Sequence, residues 1–120
     1  MRRYAYNLHM NKLEENNSPM KALEESLDTD FFKVLSEPAR IELIKLLLRM
    51  PNSDIGTISS QMLQDRSVIS RHLKVMLQAG LVTCQKEGKH SYYCLNGSEF
   101  IDRFEQILLN IKQATTNNCC

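Results

Sequence analysis

The chain has no tryptophan, and its four phenylalanines and four tyrosines make up only 7% of 120 residues. Proteins that hold single-stranded nucleic acid rely on exposed rings for base stacking, so the composition argues against that class. No apolar run approaches the length that crosses a bilayer, so no membrane partner is expected. Met1, Arg2 and Arg3 are basic, but polar Asn7, His9 and Asn11 stand where a secretion signal needs an apolar core, which points to the cytoplasm. There is no His-Glu-x-x-His, no glycine loop able to cradle phosphates, and no nucleophile at a telling distance from a base. The three histidines, His9, His72 and His90, fall in three separate segments, and the chain does not read as an enzyme. A net charge of +1 leaves no molecule-wide attraction for polyanions, so any such attraction has to be local. The four cysteines suit reduced thiols better than a disulfide framework.

What is present is a soluble composition, 42% apolar and 24% charged, and a length that suits one domain. The rest of the chain is organised around residues 65–95. Helical spacing there puts Ile69, Leu73 and Met76 on one packing face, and Arg66, Ser67, Ser70, Arg71 and Lys74 on the others. Asp65 is the expected cap, and Gly80 sits where a helix end needs a left-handed residue, followed by apolar Leu81 and Val82. Residues 83–86 and 91–95 then read as two strands joined through 87–90. A helix stopped by glycine and running into a hairpin is a winged helix, a DNA-binding motif. From Arg66 to His90 there are five basic residues (Arg66, Arg71, Lys74, Lys86, Lys89) and one acid, Glu87. This local excess marks a surface aimed at a polyanion. A charged run is more often just a solvated helix face, and a winged helix can also serve only protein contacts. The basic excess, with hydroxyls and guanidinium groups converging in one unit, favours DNA over both.

Residues 1–18 carry little periodicity and read as a flexible N-terminal arm or a frayed first helix. The domain proper is expected over 19–114, with 115–120 a polar tail ending in a cysteine pair. Ser18 and Pro19 make a helix entry. The stripe Met20, Leu23, Leu27, then Phe31, Phe32 and Leu35, is interrupted near Asp28, and suits one helix with a weak middle or two short ones. Ser36 is the expected cap of the next helix, whose buried face is Ile41, Ile44, Leu47 and Leu48 and which Pro51 ends at Met50. Arg40 near its start could reach a phosphate or a carboxylate. Residues 51–54 read as a turn, and Ile55, Ile58 and Met62 as a short helix to about Leu63. Two short helices in tight succession give helix-turn-helix geometry, in which the second enters the major groove. A last helix over about 99–114, capped by Ser98, carries Phe100, Ile101, Phe104, Ile107, Leu108 and Ile111. That is more apolar surface than a small core needs. A two-fold dimer through the first and last helices (Met20, Leu23, Leu27, Phe100, Phe104, Ile107, Leu108, Ile111) would bury the surplus, unless the stripe closes the monomer's own core.

The strings FKVLSEPAR at 32–40, SVISRHLKV at 67–75, AGLV at 79–82 and EGKHSYY at 87–93 together resemble the ArsR/SmtB family of bacterial winged-helix repressors. The match runs from about residue 30 to 95. The resemblance implies a mostly α fold with a small β-hairpin wing, and a homodimer that binds an imperfect palindrome in a promoter until an inducer releases it. It also assigns Arg66, Ser67, Ser70 and Arg71 to base edges or groove walls, Lys74 to a phosphate, and Lys86, Lys89 and His90 on the wing to backbone or minor groove. Where the family often has glutamine, this chain has Arg66. His72 could donate to a phosphate, or serve only in packing beside Leu73.

Metal-sensing members carry a Cys-x-Cys pair before the reading helix, where this chain has about Asp54 and Gly56. Others use an Asp/His set on the last helix, which falls near Gly97, Glu99, Asn110 and Gln113. Neither set offers zinc the nitrogen and sulfur donors it prefers, so the usual zinc sites are not expected. Redox-sensing members pair a cysteine on the second helix with one on the last, and the second helix here has none. Cys119 and Cys120 remain candidates for a thiophilic ion such as arsenite, with a third donor from elsewhere, against the plainer reading of an incidental pair. Cys84 should face residue 93 across the hairpin, which would point its sulfur and that of Cys94 to opposite sheet faces and disfavour a disulfide.

Overall fold

The computed structural model of the chain describes residues 18–116. The described residues form two compact units, 29–101 and the pair of segments 18–28 and 102–116.

The larger unit is built on α3 (Pro38–Arg49), whose Leu43, Leu46 and Leu47 are fully buried. They meet Ile58 of α4 (Ile55–Ser60), Ile69, Leu73 and Met76 of α5 (Arg66–Gln78), and Val82 of β2 (Val82–Glu87). Each such side chain contributes about 1.5–3 kcal/mol on leaving water, so the three helices cannot separate cheaply. The helix ahead of them, α2 (Thr29–Leu35), buries Phe31. Ser36 is not the cap of α3. Pro38 occupies the first helical position, and the residue before a proline is driven to extended backbone, so the cap falls on Glu37, at φ −88° and ψ 120°. The Ser36 hydroxyl instead donates to the Lys33 carbonyl, 2.8 Å, closing α2. Leu48, expected in the buried face, is exposed, and Leu43 and Leu46 take its place.

The expected turn over 51–54 is half a turn. Pro51 and left-handed Asn52 (φ 60°) reverse the chain, and Ser53–Asp54 then form β1. It pairs antiparallel with β3 (His90–Leu95), Ser53 opposite Tyr93, giving a three-stranded sheet in the order β1-β3-β2. The hairpin is tighter than the sequence suggests, since Glu87 pairs with His90 and only Gly88 and Lys89 turn. Helix α4 stops at Ser60, short of Leu63, which stands fully exposed in the link to α5. At the end of α5, Gly80 has φ 78°; its N–H bonds Leu77 O at 3.0 Å and the Leu81 N–H bonds Met76 O at 2.9 Å, as a glycine stop requires. Asn96 then ties the sheet to that stop: its N–H meets Leu81 O at 2.8 Å and its side-chain amide meets Gly80 O at 2.9 Å.

In the smaller unit, α1 (Pro19–Ser26) is capped by Ser18, whose Oγ accepts from the Met20 N–H. Of the two arrangements open for the first stripe, the structure has two short helices, α1 and α2. The last helix, α6 (Gly97–Thr115), begins earlier than expected. Asn96 O accepts the first helical N–H groups, from Glu99 and Phe100, and Ser98 lies inside the first turn, its hydroxyl 3.1 Å from Asn96 Oδ1. Within this unit the buried Asn110 donates to Ala22 O at 3.1 Å, and Arg103 meets Asp28 at 3.4 Å.

Candidate nucleic-acid interface

Because Ile69, Leu73 and Met76 are drawn into the core, the helical period leaves Arg66, Ser67, Ser70, Arg71 and Lys74 exposed. The wing presents Lys86, Lys89 and His90, also exposed. Between them lies an open cleft of ≈ 440 Å³, lined by Arg66 and Ser70 from α5, Lys89, His90, Ser91 and Tyr93 from the wing, and 54–56 from β1 and α4. Reading helix and wing thus form the two walls of one cationic groove, and four of the nine expected nucleic-acid contacts line it.

Sequence reasoning missed Asp54 in this groove. Its carboxylate accepts from the Thr57 N–H at 2.9 Å, capping α4, and stands 3.6 Å from His90 Nδ1. Hydrogen bonding from Thr57, then the charge of His90, lowers its pKa below 3.8, so it stays ionised and steadies the base of the wing. An Asp three residues before a threonine at a helix entry was the available signal. Asp65, expected to cap α5, has the right extended backbone but makes no side-chain cap bond.

His72 departs from the exposed set. It is half-buried, and its Nδ1 accepts a hydrogen bond from Arg40 Nε of α3 at 3.2 Å. Arg40 is itself half-buried, and its Nη1 also donates to Val34 O at 3.1 Å. Burial, then the Arg40 charge, lowers the His72 pKa below its ordinary 6.5.

Cys84 stands opposite Tyr93 and Cys94 opposite Thr83, and both thiols are free. Burial, then Cys84, raises the Tyr93 pKa. Cys119, Cys120 and residues 1–17 of the expected arm lie outside the described residues. Among the described residues no three His, Cys, Asp or Glu gather around a point that could hold a metal ion. Of the positions aligned with the family's metal sites, Asp54 caps a helix and Asn110 bonds backbone. Of the expected dimer contacts, Met20, Leu27, Phe104, Leu108 and Ile111 are exposed, and Leu23, Phe100 and Ile107 half-buried. No helix among the described residues is long and apolar enough to cross a membrane.

A helix-turn-helix followed by a two-stranded wing, whose second strand also pairs with β1 ahead of the helices, and with cations on the face between helix and wing, defines a winged-helix regulator. The chain belongs to the arsR family of bacterial regulatory proteins, whose family model matches residues 37–83. An HTH-type transcriptional regulator of Methanocaldococcus jannaschii is 30% identical over 64 residues, 53% of this chain and 72% of that protein. Another, from Mycobacterium tuberculosis, is 33% identical over 69 residues, 58% of this chain; the match spans 60% of that relative's length. A solved structure described as a possible transcriptional regulator for arsenical resistance superposes with a TM-score of 0.53 at 30% identity, covering 69% of this chain and 81% of that one. This is a family of regulators, not of enzymes.

Proposed function

We propose that the chain is a sequence-specific transcriptional repressor that binds a promoter operator in double-stranded DNA as a homodimer, in the cytoplasm. The observation that carries this reading is the groove itself. A rigidly packed helix offers Arg66, Ser67, Ser70, Arg71 and Lys74 beside a wing offering Lys86, Lys89 and His90, in a chain whose net charge is only +1. Guanidinium groups can pair with guanine edges, hydroxyls adapt to any base, and the wing cations neutralise phosphate. Two copies related by a two-fold axis would place reading helices in major grooves about one helical turn apart. The test is a fluorescence titration, at several salt concentrations, of a labelled duplex from upstream of the chain's own coding sequence, beside a scrambled duplex. Tighter, steeply salt-dependent binding to the first supports the reading. Equal, weak binding to both leaves a winged helix that serves protein contacts instead.

For the inducer we propose a thiophilic ion such as arsenite, held through Cys119 and Cys120, with thiol oxidation as the competing trigger. The support is the adjacent pair of thiols in the sequence and the likeness to a protein described as a possible transcriptional regulator for arsenical resistance. Arsenite, and separately a persulfide donor, is added to the preformed complex. Release by arsenite that is lost in the Cys119→Ser, Cys120→Ser protein supports metalloid sensing, and indifference to both reagents points to a regulator without metal sensing.

A further inference from the structure

Arg40 and His72 lie 32 residues apart in sequence and meet in the fold, joining the start of α3 to the middle of the reading helix. The guanidinium Nε carries a hydrogen and has no lone pair to offer, so in this bond it can only donate. Nδ1 of His72 must then be the acceptor, and the one proton of the neutral ring sits on Nε2. The Arg40 fork is itself fixed, because Nη1 donates to Val34 O at 3.1 Å at the end of α2. Among the described residues, no hydrogen bond reaches His72 Nε2. On the same helix, Arg71 and Lys74 are exposed on the proposed DNA face.

We infer that Arg40 is a positioning residue for DNA binding: it locks the His72 ring in the Nε2–H tautomer and presents that N–H as a donor to a phosphate oxygen. The inference rests on the DNA-binding reading above. A neutral donor fixed from behind loses little freedom on meeting a phosphate, whereas an unpinned ring would sample both tautomers and several rotamers. The charged groups facing the ring are Arg40 on α3, Glu37 at the entry to α3, and Arg71 on its own helix. The two arginines oppose a second proton and Glu37 favours one. Once protonated, Nδ1–H would confront the Arg40 N–H and the pin would be lost.

The experiment uses the full chain. Long-range proton–nitrogen spectra of the histidine rings, without DNA, should show His72 with a bare Nδ1 and a protonated Nε2. In Arg40→Ala the two tautomers should mix. In titrations of the upstream duplex, Arg40→Ala and His72→Ala should each weaken binding by about tenfold, the worth of a hydrogen bond to a charged group. The double variant should be no weaker than His72→Ala alone. His72→Gln, which keeps an amide donor near the Nε2 position, should recover most of the loss and be indifferent to Arg40. Should Arg40→Ala prove unfolded by circular dichroism, Arg40→Lys, which keeps the charge but loses the fork, takes its place. Additive losses, or an unchanged tautomer without Arg40, would overturn the inference while leaving the repressor reading intact. Failure of the wild-type chain to prefer its upstream duplex would remove both.

Discussion

Single side chains on the groove should divide into those that read bases and those that only anchor. Arg71 projects from the middle of the exposed face of α5, and Lys89 from the tip of the wing. Arg71→Ala should weaken specific binding by about 1–3 kcal/mol and relax base preference at one position, as loss of a bidentate base contact does. Lys89→Ala should weaken binding to every sequence alike and lower the slope of log affinity against log salt by about one, as loss of one phosphate contact does. Parallel salt titrations of both proteins on specific and scrambled duplexes check this, and identical behaviour of the two variants would misplace the reading face. His72 carries a stability prediction of its own. Its folded pKa lies below the ordinary 6.5, so the unfolded chain binds the proton more readily. Stability is therefore undiminished above about pH 6.5 and declines as the pH falls from there toward the folded value. Urea melts at several pH values should show His72→Gln losing less on acidification than the wild type. Exposure of Arg66, Ser67, Ser70, Arg71 and Lys74 was legible from the helical period. The Arg40 partner of His72 was not, because no local pattern links residues 32 apart until helices pack.

At the scale of elements, the hairpin and the reading helix were the most legible parts, since each carries its own start and stop chemistry. The end of α5 is the clearest instance: a residue with φ 78° has to be one without a Cβ penalty. An added methyl at Gly80 would meet nothing within 4 Å, so Gly80→Ala is a test of backbone strain alone. It should cost about 1–2 kcal/mol, read as a lower urea midpoint with an unchanged slope. Gly97→Ala, equally uncrowded and without a positive φ, should leave the midpoint unchanged or slightly raised. What the sequence hid at this scale were boundaries set by neighbours. The cap of α3 moved to Glu37 because Pro38 dictates the backbone before it. Ser53–Asp54 became a strand because the edge of β3 was there to pair with, and two residues have no periodicity of their own. In α6, Asn110, which lies outside the expected apolar stripe, takes a buried place beside α1, while Leu108 and Ile111 of that stripe are exposed.

For the whole molecule, the question is what covers the apolar surface of α1 and α6. In the smaller unit Met20 is 51% exposed, Leu27 40%, Phe104 46%, Leu108 55% and Ile111 41%. Scattered exposed leucines are ordinary, but five large apolar side chains on α1, its cap and α6 are more exposed apolar surface than one small unit needs, as at an interface. Under the homodimer proposed above, a second copy is that occupant. A two-fold axis sets the same patch against itself, and the DNA reading needs two reading helices. The wild-type chain should therefore scatter light as a dimer at micromolar concentration. Phe104→Glu with Leu108→Glu places two carboxylates on the patch and should yield single chains of unchanged helix content. Those single chains should also bind a full operator much more weakly, with a reduced salt slope, because one half of the phosphate contacts would be gone. A wild-type chain that stays single at the concentrations where it binds its operator would sever the link between this patch and the groove.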